Sequence, residues 1–332
     1  MADTADDMRL SAMLDGHVIT QLIASAVRFG IPDLLAEPAT EDQLSAATGI
    51  SPARLRRFLS ALRNLGLVEA AGERSYRNTP MARHLRKETG ALYGHALMAG
   101  KAYYQGWADL DFSLLTGRSA FEHSHGDTLW GHLDSDAETA TAFTRTQGWN
   151  SERFVSEIVG LYPFPESGVL ADLGAGDGTV VAALLKRFPR LRAIVFEQPS
   201  VLENARRSLS EQGVEERCTF RSGNFLQEVP QGGDLYLLKS VIHNWDDACA
   251  LRILRNCREA MPDHARLLLI EHAIDEADPV PTAVRDMMML VLFGSRDRTV
   301  ADYDQLLARG GFAVSRKWSG SGGLHILQAR PT

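Results

Sequence analysis

The sequence predicts an α/β fold, a doubly wound and mostly parallel sheet preceded by a helical domain with a small β-wing. Three observations carry that prediction. The apolar run 169–173, with Asp172 near its end, runs directly into a loop with glycine at 174, 176 and 178. Residues 180–188 then recur at helical spacing, so strand, glycine loop and helix open a doubly wound sheet. Further on, apolar strands alternate with helices at 193–197, 218–221, 234–239, 266–272, 311–317 and 323–329, making seven candidate strands in all. The last two read as an antiparallel hairpin around Gly320-Ser321-Gly322.

At 332 residues the chain exceeds one typical domain. The expected borders are a first domain at 1–100, linking helices at 101–160 and the sheet domain at 161–332, the last opening at the turn Pro163-Phe164-Pro165-Glu166-Ser167-Gly168. A net charge of −7 argues against a nucleic-acid binder, which carries a basic face. Cys218, Cys249 and Cys257 show no metal spacing, and their odd number suggests no disulfide framework. The opening Met-Ala-Asp-Thr-Ala-Asp-Asp is not a secretion signal, and no apolar run approaches the roughly 20 residues that span a bilayer. The expectation is a cytoplasmic protein without a membrane partner.

Residues 9–35 read as one helix, with Leu10, Met13, Leu14, Val18, Ile19, Leu22, Ile23 and Val27 three and four apart. Thr40-Glu41-Asp42-Gln43 is a helix start that stops at Gly49, and Ser51-Pro52 opens the next helix with a cap and a proline. That helix ends at Gly66, and 67–70 with 75–78 form a hairpin across Gly72, which completes a winged-helix pattern. Arg54, Arg56, Arg57 and Arg63 invite a DNA-binding reading, that of a transcriptional regulator. The acidic chain favours dimerisation or a substrate lid instead, with the apolar opening helix as an intersubunit contact. Residues 86–150 are helical and rich in aromatic side chains, most of them core and a few expected to face a ligand.

The glycine loop removes side chains where backbone must turn and approach a ligand, and free N–H groups at the helix start favour an anionic group. Its spacing is G-x-G-x-G, not the G-x-G-x-x-G of dinucleotide sites. Alone it is equally a plain tight turn. Glu197, at the end of the next strand and 25 residues beyond Asp172, suits a carboxylate gripping a ribose diol. Together they point to a nucleoside-type cofactor. S-adenosylmethionine fits better than NAD, having a ribose and a carboxylate but no pyrophosphate.

Strand 234–239 runs into Ser240-Val241-Ile242-His243-Asn244-Trp245, placing a histidine just past a strand's carboxyl end. An isolated histidine there is a loop residue as readily as a base. Glu271, ending the next strand, offers to orient the imidazole, Asp297 offers a second carboxylate, and Trp245 offers a cover for a flat base. A histidine–carboxylate pair is a general-base arrangement. Metal is the competing use of His243, Glu271 and Asp297. Methyl transfer from a sulfonium needs no Lewis acid, and His272 points away from Glu271, so no metal is expected.

The order of these motifs resembles the S-adenosylmethionine-dependent O-methyltransferases of the plant caffeate and bacterial natural-product (acetylserotonin) type, over nearly the whole length. The resemblance rests on 55–62 and 76–80, Thr116-Gly117-Arg118-Ser119-Ala120-Phe121, Asp172-Leu173-Gly174-Ala175-Gly176-Asp177-Gly178, Phe196-Glu197-Gln198-Pro199, Gly223-Asn224-Phe225, Leu238-Lys239 with His243-Asn244-Trp245-Asp246-Asp247, 286–290, 296–299 and Gly310-Gly311-Phe312. It implies a Rossmann-like seven-stranded domain behind an N-terminal winged-helix domain that dimerises the chain. His243 would be the general base, with Glu271, 28 residues on, and Asp297 as flanking acids. Asp172, Gly174, Gly176, Glu197, Asn224, Phe225, Lys239 and Trp245 would hold S-adenosylmethionine, leaving S-adenosylhomocysteine as product. Glu197, Asn224 and Asp297 replace the family's Asp, Asp and Glu, and 146–150 lacks its usual Ala-Met pair, which reshapes the acceptor pocket. The expected acceptor is the hydroxyl of a small aromatic, held among Met98, Tyr104, Trp107, Phe143, Trp149, Met288 and Met289. N- or C-methylation, or cofactor use without methyl transfer, is the alternative on the same scaffold.

Overall fold

A computed structural model describes residues 2–275 and 280–332. The chain forms two compact units, Met1–Gln105 with Asp136–Thr146, and Gly106–Ser135 with Gln147–Thr332. Segment 101–160 is thus divided between the units and is not a block of its own.

In the first unit the expected helix over 9–35 is three: Ala2–Leu14, Gly16–Arg28 and Ile31–Leu34. The breaks fall at Asp15-Gly16 and at Gly30, whose φ of +66° suits glycine. His17 Nδ1 lies 2.8 Å from the carbonyl of Leu14 at the first break. Within the 24-residue stretch Ala5–Arg28 an 18-residue window reaches a mean hydropathy of 1.3, long and apolar enough to cross a membrane by length and composition only. That corrects the expectation from the sequence. Within it Leu10, Met13, Leu14, Val18 and Ile19 are exposed.

Thr40 and Gln43 form a reciprocal capping box on helix Glu41–Thr48. Ser51 sits at the next cap position, but its hydroxyl accepts from Arg54 and leaves the helix N–H groups alone. Strands β1 (Ala39–Thr40), β2 (Val68–Gly72) and β3 (Ser75–Asn78) form an antiparallel sheet in the order β1-β3-β2, so the expected hairpin gains a third strand. Buried Glu41 accepts hydrogen bonds from Arg56, Arg74 and Tyr76. Arg56 foremost among them brings its carboxyl down to about 2. One of the four arginines that invite a nucleic-acid reading is therefore committed inside its own unit.

The second unit is built on β4 (Ser167–Leu173), β5 (Arg190–Glu197), β6 (Cys218–Ser222), β7 (Leu235–Lys239), β8 (Arg266–Ile274), β9 (Arg298–Thr299), β10 (Phe312–Ser319) and β11 (Leu324–Pro331). The main order is β10-β11-β8-β7-β4-β5-β6, and two-residue β9, absent from the sequence reading, pairs with the end of β8. From β8 to β6 the neighbours are parallel, while β10 and β11 are an antiparallel hairpin on β8. The order reverses between β4 and β7, which places a switch point at the ends that carry Asp172 and Lys239.

Both faces of the sheet are covered, and the strands alternate between two cores. On β8, Leu267 and Leu269 pack on one side and Leu268 and Ile270 on the other, all fully buried. Burying each leucine contributes roughly 1.5–3 kcal/mol. Continuing that alternation puts Glu271 on the Leu269 side and His272 on the Ile270 side, where His272 meets Phe154 edge-on at 4.9 Å. The same count puts Asp172 and Lys239 on one face of adjacent strands.

Candidate active site

The glycine loop leaves β4 with φ of +78° at Gly174 and +59° at Gly176. A Cβ on Gly174 would lie 3.1 Å from Val241 Cγ2 and 3.5 Å from Phe225 Cε1, whereas nothing stands within 4 Å of one on Gly176. Gly174 therefore lets the loop close against its neighbours, and Gly176 leaves open space. Phe225 and Trp245 meet edge-to-face, their ring centroids 5.8 Å apart.

Five N–H groups of this segment are taken up within the protein. Gly174 and Ala175 donate to Phe196 O, Gly176 to Glu197 Oε2, Gly178 to Ala175 O and Thr179 to Asp177 Oδ1. What surrounds the loop is carboxylate: Asp172, Asp177 and Glu197. Burial pushes the Asp172 carboxyl up to about 7; Lys239 opposes that rise, and Glu197 and Asp177 add to it. Burial likewise raises Glu197, against the pull of N–H donors from Gln198 and Gly176. Burial lowers Lys239 despite Asp172. A buried acidic surround repels a pyrophosphate and suits a cationic ligand. Glu197 uses one lone pair on each oxygen for Gln198 N and Gly176 N, leaving others for hydroxyl donors. Asn224 Oδ1 accepts Leu226 N at 2.8 Å, which fixes it as an acceptor with one lone pair to spare. These residues fit a ribose-bearing, positively charged cofactor.

His243 stands in a single 3₁₀ turn, Ile242–Asn244, just past β7. Its Nδ1 lies 2.8 Å from Glu271 Oε2, with side-chain exposures of 15% and 0%. The approach is close but bent, and neither atom completes a well-aligned hydrogen bond. The other oxygen, Glu271 Oε1, accepts the backbone N–H of Val241 and Ile242 at 3.0 and 2.8 Å. Burial alone would raise the Glu271 carboxyl, but His243 and the two N–H donors outweigh it and lower it. With Nδ1 turned to Glu271, Nε2 is the nitrogen left for a ligand.

Asp297 is paired with a cation of its own, while His243 lies near enough to act on its carboxyl as well. Its Oδ2 accepts Arg285 Nε at 2.7 Å, its backbone N donates to Asp286 Oδ1, and no hydrogen bond joins it to His243 among the described residues. Burial raises its carboxyl, with Arg285 opposing. Of the expected acceptor-site residues, Met98, Tyr104 and Phe143 belong to the first unit and Trp107, Met288 and Met289 to the second. Met98 is 2% exposed, the packing of a core residue, while Tyr104 is exposed. The Trp149 side chain lies outside the described residues. Three polar residues at this site escape the sequence reading: Arg285, Ser295 and Arg298. Only Arg298 has a local signal, since Thr299 and Asp302 form a capping box that puts it immediately ahead of a helix.

Residues 107–313 match the O-methyltransferase domain, and residues 11–88 match the O-methyltransferase dimerisation domain. The chain belongs to the O-methyltransferase family. It is thus an S-adenosylmethionine-dependent methyltransferase with an α/β domain behind a helical dimerisation domain. The phenazine O-methyltransferase of Lysobacter antibioticus is 36% identical, the match covering 97% of this chain and 95% of that one. The crystal structure of LaPhzM superposes with a TM-score of 0.93 at 35% identity, over 98% and 99% of the two chains. The phenazine-1-carboxylate N-methyltransferase of Pseudomonas aeruginosa is 31% identical over 92% of each chain. The O-methyltransferase of neocarzinostatin biosynthesis, solved with S-adenosylmethionine and 2-hydroxy-5-methyl naphthoic acid, gives 0.81 at 26% identity over 95% and 96%. The exposed apolar side chains of the opening helices fall largely inside the segment that matches the dimerisation domain.

Proposed function

We propose that this O-methyltransferase methylates a phenolic hydroxyl of a small aromatic natural-product intermediate, with His243 as general base. The observation that carries the reading is Nδ1 of His243 held 2.8 Å from a fully buried carboxylate. A phenol has a pKa near 10 and is mostly protonated at neutral pH, so the oxygen gains nucleophilicity as it loses its proton. When bound, S-adenosylmethionine supplies an electrophilic methyl on a positively charged sulfur. Nε2 of His243 accepts the phenolic proton, and Glu271 stabilises the imidazolium. Glu197 would hold the cofactor through its ribose hydroxyls and Asn224 through its adenine amino group, with Phe225 and Trp245 offering aromatic surface to the base. Asp172 and Lys239 complete the polar floor beside Gly174 and Gly176. Asp297 acts at one remove, holding Arg285.

The test is a panel of phenols, catechols, anilines and amino-acid-derived aromatics incubated with methyl-labelled S-adenosylmethionine. Label on oxygen is expected; label only on nitrogen or carbon would sink the proposal. Transfer to nitrogen is the second reading, favoured by the N-methylating relative named above.

Three expected results follow from the cofactor and dimer assignments. Gly176→Val puts a β-branched residue at φ +59° and fills open space beside the loop, so calorimetry should find S-adenosylmethionine binding lost in a folded variant. Unchanged binding means the cofactor lies elsewhere. Because the Asp172 carboxyl is pushed up to about 7, a cationic ligand must ionise it, and binding releases a proton at lower pH. Affinity should therefore rise from pH 5.5 to about 7 and level off above, and Asp172→Asn should flatten the curve. An unchanged slope in that variant removes Asp172 from the site. We place the enzyme in the cytoplasm as a homodimer, the apolar face of Ala5–Arg28 covered by a second subunit and not by lipid. Light scattering should report a dimer at micromolar concentration; a monomer contradicts this.

A further inference from the structure

Arg298 is 1% exposed and, with no solvent to satisfy it, spends its guanidinium on the backbone around His243. Its Nη1 donates to Ile242 O at 3.1 Å and its Nη2 to Trp245 O at 2.9 Å, while Nε and Nη2 both reach Asp247 Oδ1 at 3.2 and 2.7 Å. The two carbonyls bracket His243 on either side. Between them, Ser295 Oγ donates to the carbonyl of His243 itself at 2.7 Å.

The turn is thus held from two directions. Glu271 Oε1 takes its N–H groups at Val241 and Ile242, and the 295–298 segment takes its carbonyls at 242, 243 and 245. The hold has something to resist, because Ser240, immediately before the turn, is a non-glycine residue at φ +54°. The imidazole also needs accurate placement, since its contact with Glu271 is already bent. A flat, five-donor fork suits two carbonyls and a carboxylate at once, and an ammonium does not.

We infer that Arg298, assisted by Ser295, is a positioning residue for the general base: it touches neither reactant and acts by fixing the backbone that aims His243. The inference rests on the reading of His243 as base. A displacement of about 1 Å in a catalytic group costs on the order of a hundredfold in rate.

The experiment is a double-mutant cycle on single-turnover methyl transfer to a phenol at saturating S-adenosylmethionine. Arg298→Lys is made in the parent chain and in His243→Ala. The expected loss is about 10- to 100-fold in the parent and less than about twofold where the imidazole is gone, because there is nothing left to aim. Equal fractional losses in both backgrounds, or no loss in the parent, overturn the inference. Should Arg298→Lys fail to fold, Ser295→Ala runs the same cycle, with about a threefold to tenfold loss expected only in the chain that keeps the imidazole. Failure of the base reading is distinguishable: His243→Ala alone would then keep the parent rate, and this inference would fall with it. If His243→Ala is slow and Arg298→Lys costs the same in both chains, the positioning role alone is rejected.

Discussion

His243→Ala should bind S-adenosylmethionine as the parent does, by calorimetry, and lose roughly 10²–10⁴-fold in turnover on a phenol, the usual worth of a positioned base. The two readouts separate because the imidazole is not among the groups that would hold the cofactor, although Lys239 and Trp245 stand on either side of it in the chain. The pH–rate profile should also lose its acidic limb, since the group whose protonation stops the reaction is gone. A near-parent rate at neutral pH would mean that proximity alone drives transfer, and would favour an acceptor that needs no deprotonation, such as an amine or an electron-rich carbon.

Glu271→Gln should be about as damaging as losing the imidazole, without unfolding the chain. Glu271 Oε1 is committed to the N–H groups of Val241 and Ile242, so the one carbonyl oxygen of glutamine belongs there. The amide nitrogen then faces Nδ1, and two donors cannot pair. Nδ1 must become the acceptor, which moves the ring proton to Nε2, where it blocks the base. Turnover should fall by roughly 10²–10⁴-fold, with melting close to the parent's. Glu271→Ala should fail differently. It leaves two buried N–H groups without an acceptor, at about 1–3 kcal/mol each, and should melt several degrees lower. A Glu271→Gln enzyme with parent turnover, or a Glu271→Ala enzyme with parent melting, would contradict this division of labour between the two oxygens.

Much of this was legible from the sequence because the sheet obeys simple periods. Short apolar runs alternating with helical stretches gave the five parallel strands and their order along the chain, and the alternation along β8 put His272 opposite Glu271. The glycines were visible too, but spacing says nothing about which acceptors their N–H groups find, and here protein carbonyls and carboxylates take them. The opening helix reads as continuous because the hydrophobic period persists across Asp15-Gly16, where the structure divides it into two helices. Asp297 reads from the sequence as a carboxylate near His243, and His243 does act on its carboxyl, but the sequence does not show the ion pair it makes. Its actual cation, Arg285, sits on a helix whose other residues are mostly apolar, and no period marks a buried ion pair. Arg298 escaped for the same reason: arginine is normally a surface residue, and only three dimensions show it turned inward.

The most direct measurement of the central claim, that His243 exists to remove a phenolic proton, is the rate of His243→Ala as pH rises through the ionisation of the acceptor itself. A phenolate made by solvent needs no base. The variant should recover in proportion to the fraction of acceptor ionised, and an acceptor of lower pKa should be rescued at lower pH. The parent should show no comparable rise over the same range. A His243→Ala rate that stays flat through the ionisation of every phenol tried would contradict the account.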